Sequence, residues 1–302
     1  FALSVALLAG CTAVADGEKE QVADVLRNPG SAIRSRNKAE VERINRENIK
    51  LFGEKKDYLV LPGVIADRAA KKITLWAEAT GLQKDEIVEF LLISEQSGHD
   101  YESVAVSFAK PGDVHKALCF IGMEPGRPVN EKKFHFWPKG ERVNAWFELD
   151  ADGKTAEKID ADRFVSDSRP EGRGWKGGLV FTGSALIKGA DGKEEYLADA
   201  SEPNSIVSNY NEPGTVLDIP EQDPQGMVYG THRMGGGNSF PTGSLVRVVF
   251  EPQNRDGQKR VADLDTQGFS KATRWRNELV GRASRPPGTR SARGRGRPRH
   301  QV

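Results

Sequence analysis

Cysteine is scarce in this sequence. The 302 residues include only two, Cys11 and Cys119. Two thiols exclude a framework of several disulfides and a metal cluster held by cysteines alone, and therefore iron–sulfur redox chemistry. The chain also has no G-x-S-x-G, H-E-x-x-H or C-x-x-C motif, so the enzyme classes that these motifs define receive no support. The sequence predicts neither a metal site nor a cofactor.

Long hydrophobic runs are lacking as well. The most apolar stretch, FALSVALLAGC, ends at Cys11 and is too short to span a bilayer as a helix. It is typical of the end of a secretory signal peptide, so we interpret residues 1–10 as a signal remnant. Leu8-Ala9-Gly10-Cys11 resembles the lipobox of bacterial lipoproteins, and that resemblance implies cleavage before Cys11 and acylation of its thiol.

A second cleavage site remains open. Ala13-Val14-Ala15 is an A-x-A pattern, and cleavage after it would release a soluble periplasmic protein. The lipobox is favoured because its four positions match. The residue that follows the cysteine is Thr12 and not an Asp. By resemblance to Gram-negative lipoproteins, this residue points to the outer membrane, facing the periplasm. Each buried methylene contributes about 0.8 kcal/mol, so two or three acyl chains anchor a protein stably.

Lysine is absent after Lys271, where nine arginines face the single acid Glu278. Residues 254–302 have no apolar period, so we predict a linker and a disordered basic tail. An exported protein rarely meets nucleic acid, and we predict no nucleic-acid partner. Two interpretations of the tail stay open: a segment that binds an anionic envelope surface, or translation of a GC-rich frame that is not the native one.

Residues 11–55 are strongly charged. Helix-favouring stretches around 18–27 and 38–51 are separated by Asn28-Pro29-Gly30, which we interpret as a helix stop. Apolar residues are sparse here, so any helix lies on the surface or in solvent. We expect a lipid-anchored tether that holds the following domain away from the membrane.

Short alternating runs separated by turn signals fill residues 56–253. Half-buried strands are predicted where apolar residues alternate with other residues: Ile73, Leu75 and Ala77; Val104, Val106 and Phe108; Val143, Ala145 and Phe147. Pro138-Lys139-Gly140 predicts a hairpin loop between KFHFW and RVNAWFEL, and Asp152-Gly153 predicts the next. Further strands are expected at 179–186, 205–208 and 245–251.

Helices are predicted to be few in this domain. The clearest has Asp113 as its N-cap, Val114, Ala117 and Leu118 on its buried face, and Gly122 as its stop. A short helix is also expected over 82–90. The prediction is one α+β domain, mainly an antiparallel β-sheet with few short helices, between a charged helical tether and a disordered basic tail.

The stretch EFLLISEQSGHDYESVAVSFAKPGDVHKALCFIGMEPGRPV, residues 89–129, resembles the YdjY-like domain family of bacterial envelope proteins. The later stretches GLVFTGSAL and NSIVSNYNEPGTVLDIP agree with the same family in the same order. The resemblance covers about two thirds of the chain. It implies an exported protein and supplies no particular activity.

Three side chains are the candidates for catalysis. Glu102 falls in register with Val104 on the core face of a strand, where a carboxylate must find a partner or shift its pKa. His115 lies one helical turn before Cys119, and His232 stands beside a glycine-rich stretch. As structural residues, Glu102 would pair at the end of its strand, and His115 would lie at the surface beside a partly buried thiol.

The leading hypothesis is a lipid-anchored envelope lipoprotein whose domain binds an envelope protein or polymer without catalysis. The alternative is a periplasm-facing hydrolase that uses Glu102 with His115 or His232 as acid and base, and a third is an assembly factor whose strand edges pair with a partner. An exposed cluster among the tryptophans would favour a ligand platform, whereas burial would not: Trp76, Trp137, Trp146 and Trp175.

Overall fold

The structure is a computed structural model that describes residues 29–149, 157–169, 175, 177–189, 192–235 and 240–253. The chain divides into two units, Phe1–Gln258 and Lys259–Val302, and every described residue belongs to the first. The signal remnant, Cys11, Asp152-Gly153 and the Arg-rich tail lie outside the described residues. No helix within the described part is long and apolar enough to cross a membrane.

Strands dominate the described chain. They are β1 Tyr58–Leu61, β2 Val64–Asp67, β3 Lys72–Ala79, β4 Phe90–Ser94, β5 Ser103–Ser107, β6 Glu141–Leu149, β7 Glu157–Asp160, β8 Val165–Asp167, β9 Leu179–Phe181, β10 Leu186–Lys188, β11 Glu194–Tyr196, β12 Ser205–Ser208, β13 Leu217–Asp218, β14 His232–Met234 and β15 Leu245–Pro252. The α-helices are α1 Pro29–Phe52, α2 Pro111–Phe120, α3 Leu197–Ala200 and α4 Gln225–Val228. Short 3₁₀ turns span Asp100–Glu102, Glu131–Lys133 and Ala161–Phe164.

Eleven of these strands form one sheet that closes on itself. Its closed circuit runs β3-β15-β6-β9-β13-β12-β4-β5 and returns to β3. Two strands of the circuit also pair with side strands outside it. Strand β3 pairs with the side strand β2 along its first half and with β5 near its end. Strand β6 pairs first with β9 and then with the side strand β7. Among the strand pairs of the described residues, β4–β5 and β12–β13 are parallel and the others are antiparallel. The mainly antiparallel α+β fold predicted from the sequence is confirmed.

The core follows the predicted alternation on β3, whereas on β6 Trp146 is buried together with Ala145 and Phe147. Ile73 and Leu75 of β3 and Phe147 of β6 are buried, and Phe250 of β15 joins them in one apolar cluster. Each such side chain contributes about 1.5–3 kcal/mol on burial. β5 differs from its prediction, because all five of its residues are buried. A second cluster on this part of the sheet explains the difference: Phe90, Ile93, Val106, Tyr210 and Val228.

Helix α2 begins earlier than predicted. Lys110 is its N-cap and Pro111 occupies its first turn, so the prediction of Asp113 as N-cap is wrong. Proline is well suited to that position, because its fixed φ matches the helix and its missing N–H would have no partner there. Gly122, with φ of +93°, ends the helix as predicted.

Helix α1 corrects the predicted helix stop. Pro29 and Gly30 begin a 24-residue helix. The helix packs on the sheet through buried Val41 and Asn37, and the Asn37 side-chain amide donates to Glu78 Oε2 at 2.8 Å and to the Gly243 carbonyl at 2.9 Å. This segment therefore lies on the domain instead of extending freely away from it.

Two further local predictions are wrong. Residues 82–90 form a turn followed by a bridge from Ile87 to Arg233, and no helix. The KFHFW stretch is not a strand: it follows a 3₁₀ turn, and Phe134 adopts a left-handed conformation with φ of 58°. In residues 82–90, backbone pairing with a residue distant in the sequence takes the place of the predicted helix. In KFHFW, a tight local turn takes the place of the predicted strand.

Candidate functional site

Glu102 is buried just before β5, in the 3₁₀ turn and not in the strand itself. Its carboxylate Oε1 lies 2.7 Å from Nδ1 of His99, which donates to it. His99 is three residues earlier, and the 3₁₀ turn brings the two side chains to the same side of the backbone. Glu102 thus has a local partner at the end of its strand.

Glu89 is a second buried carboxyl group near Glu102, and the sequence analysis did not single it out. Burial raises the pKa of Glu89, the hydrogen bond from Gln225 at 3.0 Å opposes that rise, and the charge of Glu102 adds to it. Its other oxygen has no hydrogen-bond partner among the described residues. In the sequence, the signal that could have identified Glu89 was its position as an acid directly before the apolar stretch that forms the buried strand β4.

His115 is buried on α2 and holds a loop in place. Its Nδ1 accepts a hydrogen bond from the Ser184 backbone N–H at 3.0 Å, so the proton of the neutral ring is on Nε2. The ring packs on Tyr196 and Phe181, with centroids 4.6 and 5.4 Å away. Burial lowers its pKa, and the Lys116 charge lowers it further. The surface position foreseen for this imidazole is wrong.

His232 lies on β14, where burial is the main cause of its lowered pKa. Neither ring nitrogen has a hydrogen-bond partner within the described part of the chain, and the nearest carboxylate, Asp167 Oδ2, is 4.0 Å from Nε2. Asp167 is bound instead by Arg169, which also pairs with Asp223 at 2.9 Å. This network holds Asp167 in its charged form.

The three predicted candidates are held in different surroundings. Glu102 pairs with His99, His115 with Ser184, and His232 lies beside Asp167. No hydrogen bond or ion pair among the described residues joins any two of the candidates. The same part of the chain contains no group of three His, Cys, Asp or Glu side chains arranged to hold a metal ion.

One cavity is an open groove of about 1200 Å³. It is lined by Val41, Glu42 and Arg46 of α1, by residues of the β10–β11 hairpin and by residues of α2. Residues at the ends of β4 and β5 and in the loop that follows β5 also line it. Because its walls come from segments about 150 residues apart in the sequence, no local motif could have revealed the groove.

Charges of both signs line this groove. Lys38 pairs with Glu95 and Lys116 with Asp113, each at 2.8 Å. Glu42, Arg46, Lys110, Glu194 and Glu195 also line it, and none of these five forms a salt bridge with another described residue. Apolar surface is interspersed among the charges, including exposed Leu186. The groove therefore offers separate anionic and cationic contacts along one open surface.

The fold and the groove define a β-rich α+β domain with an open, mixed-charge surface. The YdjY domain family matches residues 64–218, which is half of the chain, and the chain belongs to that family. The match confirms the resemblance carried by residues 89–129. No curated protein and no solved structure shows significant similarity to the chain.

Proposed function

We propose that this YdjY-domain protein is a lipid-anchored lipoprotein of the bacterial envelope, and that its domain binds another envelope component without catalysis. The groove between α1 and the β10–β11 hairpin is the observation that carries the binding role. The lipobox that ends at Cys11 supports the anchor and the position facing the periplasm.

The groove favours an extended polypeptide segment of another envelope protein. Its volume exceeds the roughly 300–1,000 Å³ typical of small-molecule sites, and its charged side chains of both signs match a chain that carries both acids and bases. Exposed backbone amides of such a segment can also pair with polar groups such as Asn45 and Gln96, which line the same surface.

The hydrolase alternative receives less support from these contacts. A general acid or base must lie within hydrogen-bond reach, about 2.6–3.2 Å, of the group whose proton it transfers, or act on that group through one water. His115 already uses Nδ1 to accept from Ser184, and Glu102 is paired with His99. Neither residue lines the groove.

The binding role is tested by charge reversal in the groove. A tagged full-length protein is crosslinked in intact cells, purified, and its partners are identified by mass spectrometry. Reversing Glu194→Lys and Glu195→Lys together is expected to reduce the crosslinked polypeptide about tenfold or more, because two attractive contacts become repulsive.

The matched control carries Glu54→Lys and Glu131→Lys, two exposed acids outside the groove that give the same change in net charge. Equal recovery of the partner from both double variants would contradict the groove as the binding surface. Crosslinked material that loses mass on muramidase treatment and contains no second polypeptide by mass spectrometry would replace the polypeptide with a glycan polymer.

A further inference from the structure

A second cavity, of about 330 Å³, lies against β6, β7 and β15 and shares no lining residue with the groove. Asn144 and Trp146 of β6, Lys158 and Asp160 of β7, and Glu251 of β15 contribute to it, together with Trp175. Its volume is at the lower end of the range for small-ligand sites, about 300–1,000 Å³.

Trp175 gives this cavity an unmet hydrogen-bonding need. The residue is only 4% exposed, and its indole Nε1–H finds no acceptor among the described residues. Trp146, in the same cavity, differs in this respect, because its Nε1–H donates to Glu148 Oε1 at 2.7 Å. Buried tryptophan N–H groups usually have a partner, so the Trp175 donor points to a ligand with an acceptor oxygen.

The remaining lining groups limit the chemistry of that ligand. An ammonium ligand has no acceptor for the Trp175 N–H. An anionic ligand would face the Asp160 and Glu251 carboxylates and be repelled by them. A neutral molecule rich in hydroxyl groups satisfies both requirements, since each hydroxyl donates one hydrogen bond and accepts others.

We infer that this cavity binds a saccharide unit, with a sugar oxygen accepting from Trp175 Nε1 and sugar hydroxyls donating to Asp160 and Glu251. Lys158, whose ammonium lies over the Trp146 ring at 3.9 Å from its centre, supplies a further donor. Aromatic rings beside paired donors and acceptors suit the alternating C–H and O–H surface of a sugar. This site is independent of the proposed polypeptide groove.

The four tryptophans named from the sequence do not form a flat exposed platform. Trp76 and Trp137 are half-buried, and Trp146 and Trp175 are buried. Burial was expected to count against a ligand surface, but here the two buried rings line a cavity instead of a flat face.

The test is isothermal titration calorimetry, in which the full chain is titrated with glucose, galactose, mannose and N-acetylglucosamine in turn and the affinity for each sugar is measured. At least one sugar is expected to bind saturably to the wild type. Trp175→Phe keeps an aromatic ring and removes the N–H, so it should weaken that binding about tenfold. Trp76→Phe, a half-buried position outside the cavity, should leave the affinity unchanged.

A second variant separates loss of binding from loss of folding. Glu251→Gln lies at the half-buried end of β15, keeps the shape of the side chain, and should also weaken sugar binding while the thermal midpoint stays near that of the wild type. Saturable binding of none of the four sugars, or equal affinity in wild type, Trp175→Phe and Glu251→Gln, would overturn the inference. The groove variant Glu194→Lys/Glu195→Lys should bind the sugar normally, which keeps the two proposals separable.

Discussion

Glu89 is a buried carboxyl group directly before β4. It is about 5% exposed, receives one hydrogen bond from Gln225, and lies near Glu102. Burial raises its pKa because a charged carboxylate loses hydration that one donor replaces only in part. Tyr210 is close by, donates to Glu212 at 3.1 Å, and also has a raised pKa, mainly from burial.

Glu89→Gln is predicted to stabilise the protein increasingly as the pH rises. The folded-state pKa lies above the unfolded value of about 4.3, so the wild type loses stability as the pH rises from there through the folded pKa. Glutamine carries no charge to desolvate and its side-chain oxygen still accepts from Gln225. Urea denaturation at several pH values measures the difference in unfolding free energy.

Glu131→Gln is the control, since Glu131 is exposed and no pH-dependent gain is expected there. A gain from Glu89→Gln that is the same below pH 4 and at pH 8, or one that shrinks as the pH rises, would contradict the assigned cause.

At the scale of elements, α1 depends on a few polar contacts for its position. Among the side chains of this helix that the structure describes, residues 32–52, Val41 is the one buried apolar group, whereas Ile49 and Leu51 are exposed. Asn37 and Arg34 both bind Glu78 of β3, a buried carboxylate whose side-chain partners among the described residues come from this helix. A buried carboxylate without partners is costly, so the helix and Glu78 stabilise each other.

Asn37→Ala is predicted to lower the unfolding free energy by about 1–3 kcal/mol, because it leaves Glu78 and the Gly243 carbonyl each short of a donor. Arg43→Ala, on the same helix, removes only the exposed pairs with Glu40 and Glu47 and should change stability by less than about 0.5 kcal/mol. Urea denaturation compares the two. Equal effects would mean that α1 is not held by its buried polar contacts.

Elements whose pattern is local were predictable from the sequence. The alternation of Ile73, Leu75 and Ala77 identified β3, and Gly122 identified the end of α2 because only glycine adopts its positive φ easily. The start of α1 was missed because proline both ends helices and begins them, and the sequence alone does not separate the two roles. The elements that could not be predicted depend on contacts between residues that are distant in the sequence.

The candidate site was less predictable than the strands. A buried carboxylate at Glu102 followed from strand register, although the 3₁₀ turn and the His99 partner did not. Glu251 and Asp160 are brought to one cavity because β6 pairs with both β15 and β7, and no short window of sequence encodes that strand pairing.

At the scale of the whole molecule, closure of the sheet leaves little free strand edge. The eight strands of the circuit pair with each other, so the unpaired outer edges within this sheet belong to the side strands β1 and β7. The separate two-stranded sheets β10–β11 and β8–β14 have outer edges of their own, so an assembly factor that works through strand edges would use these or the side strands. The groove is lined mainly by exposed and half-buried side chains, whereas the smaller cavity also includes Ala145, Ala161 and Trp175 of the main apolar cluster.

The proposed place of this fold in the cell depends on Cys11, which lies outside the described residues. The most direct measurement is mass spectrometry of the N-terminal peptide from the native protein, combined with fractionation of the cells. The account predicts a mature chain that starts at Cys11, carries acyl groups on its sulfur, and is recovered with the membranes. A mature chain that starts at Asp16, or an unmodified Cys11 thiol in a soluble fraction, would contradict it.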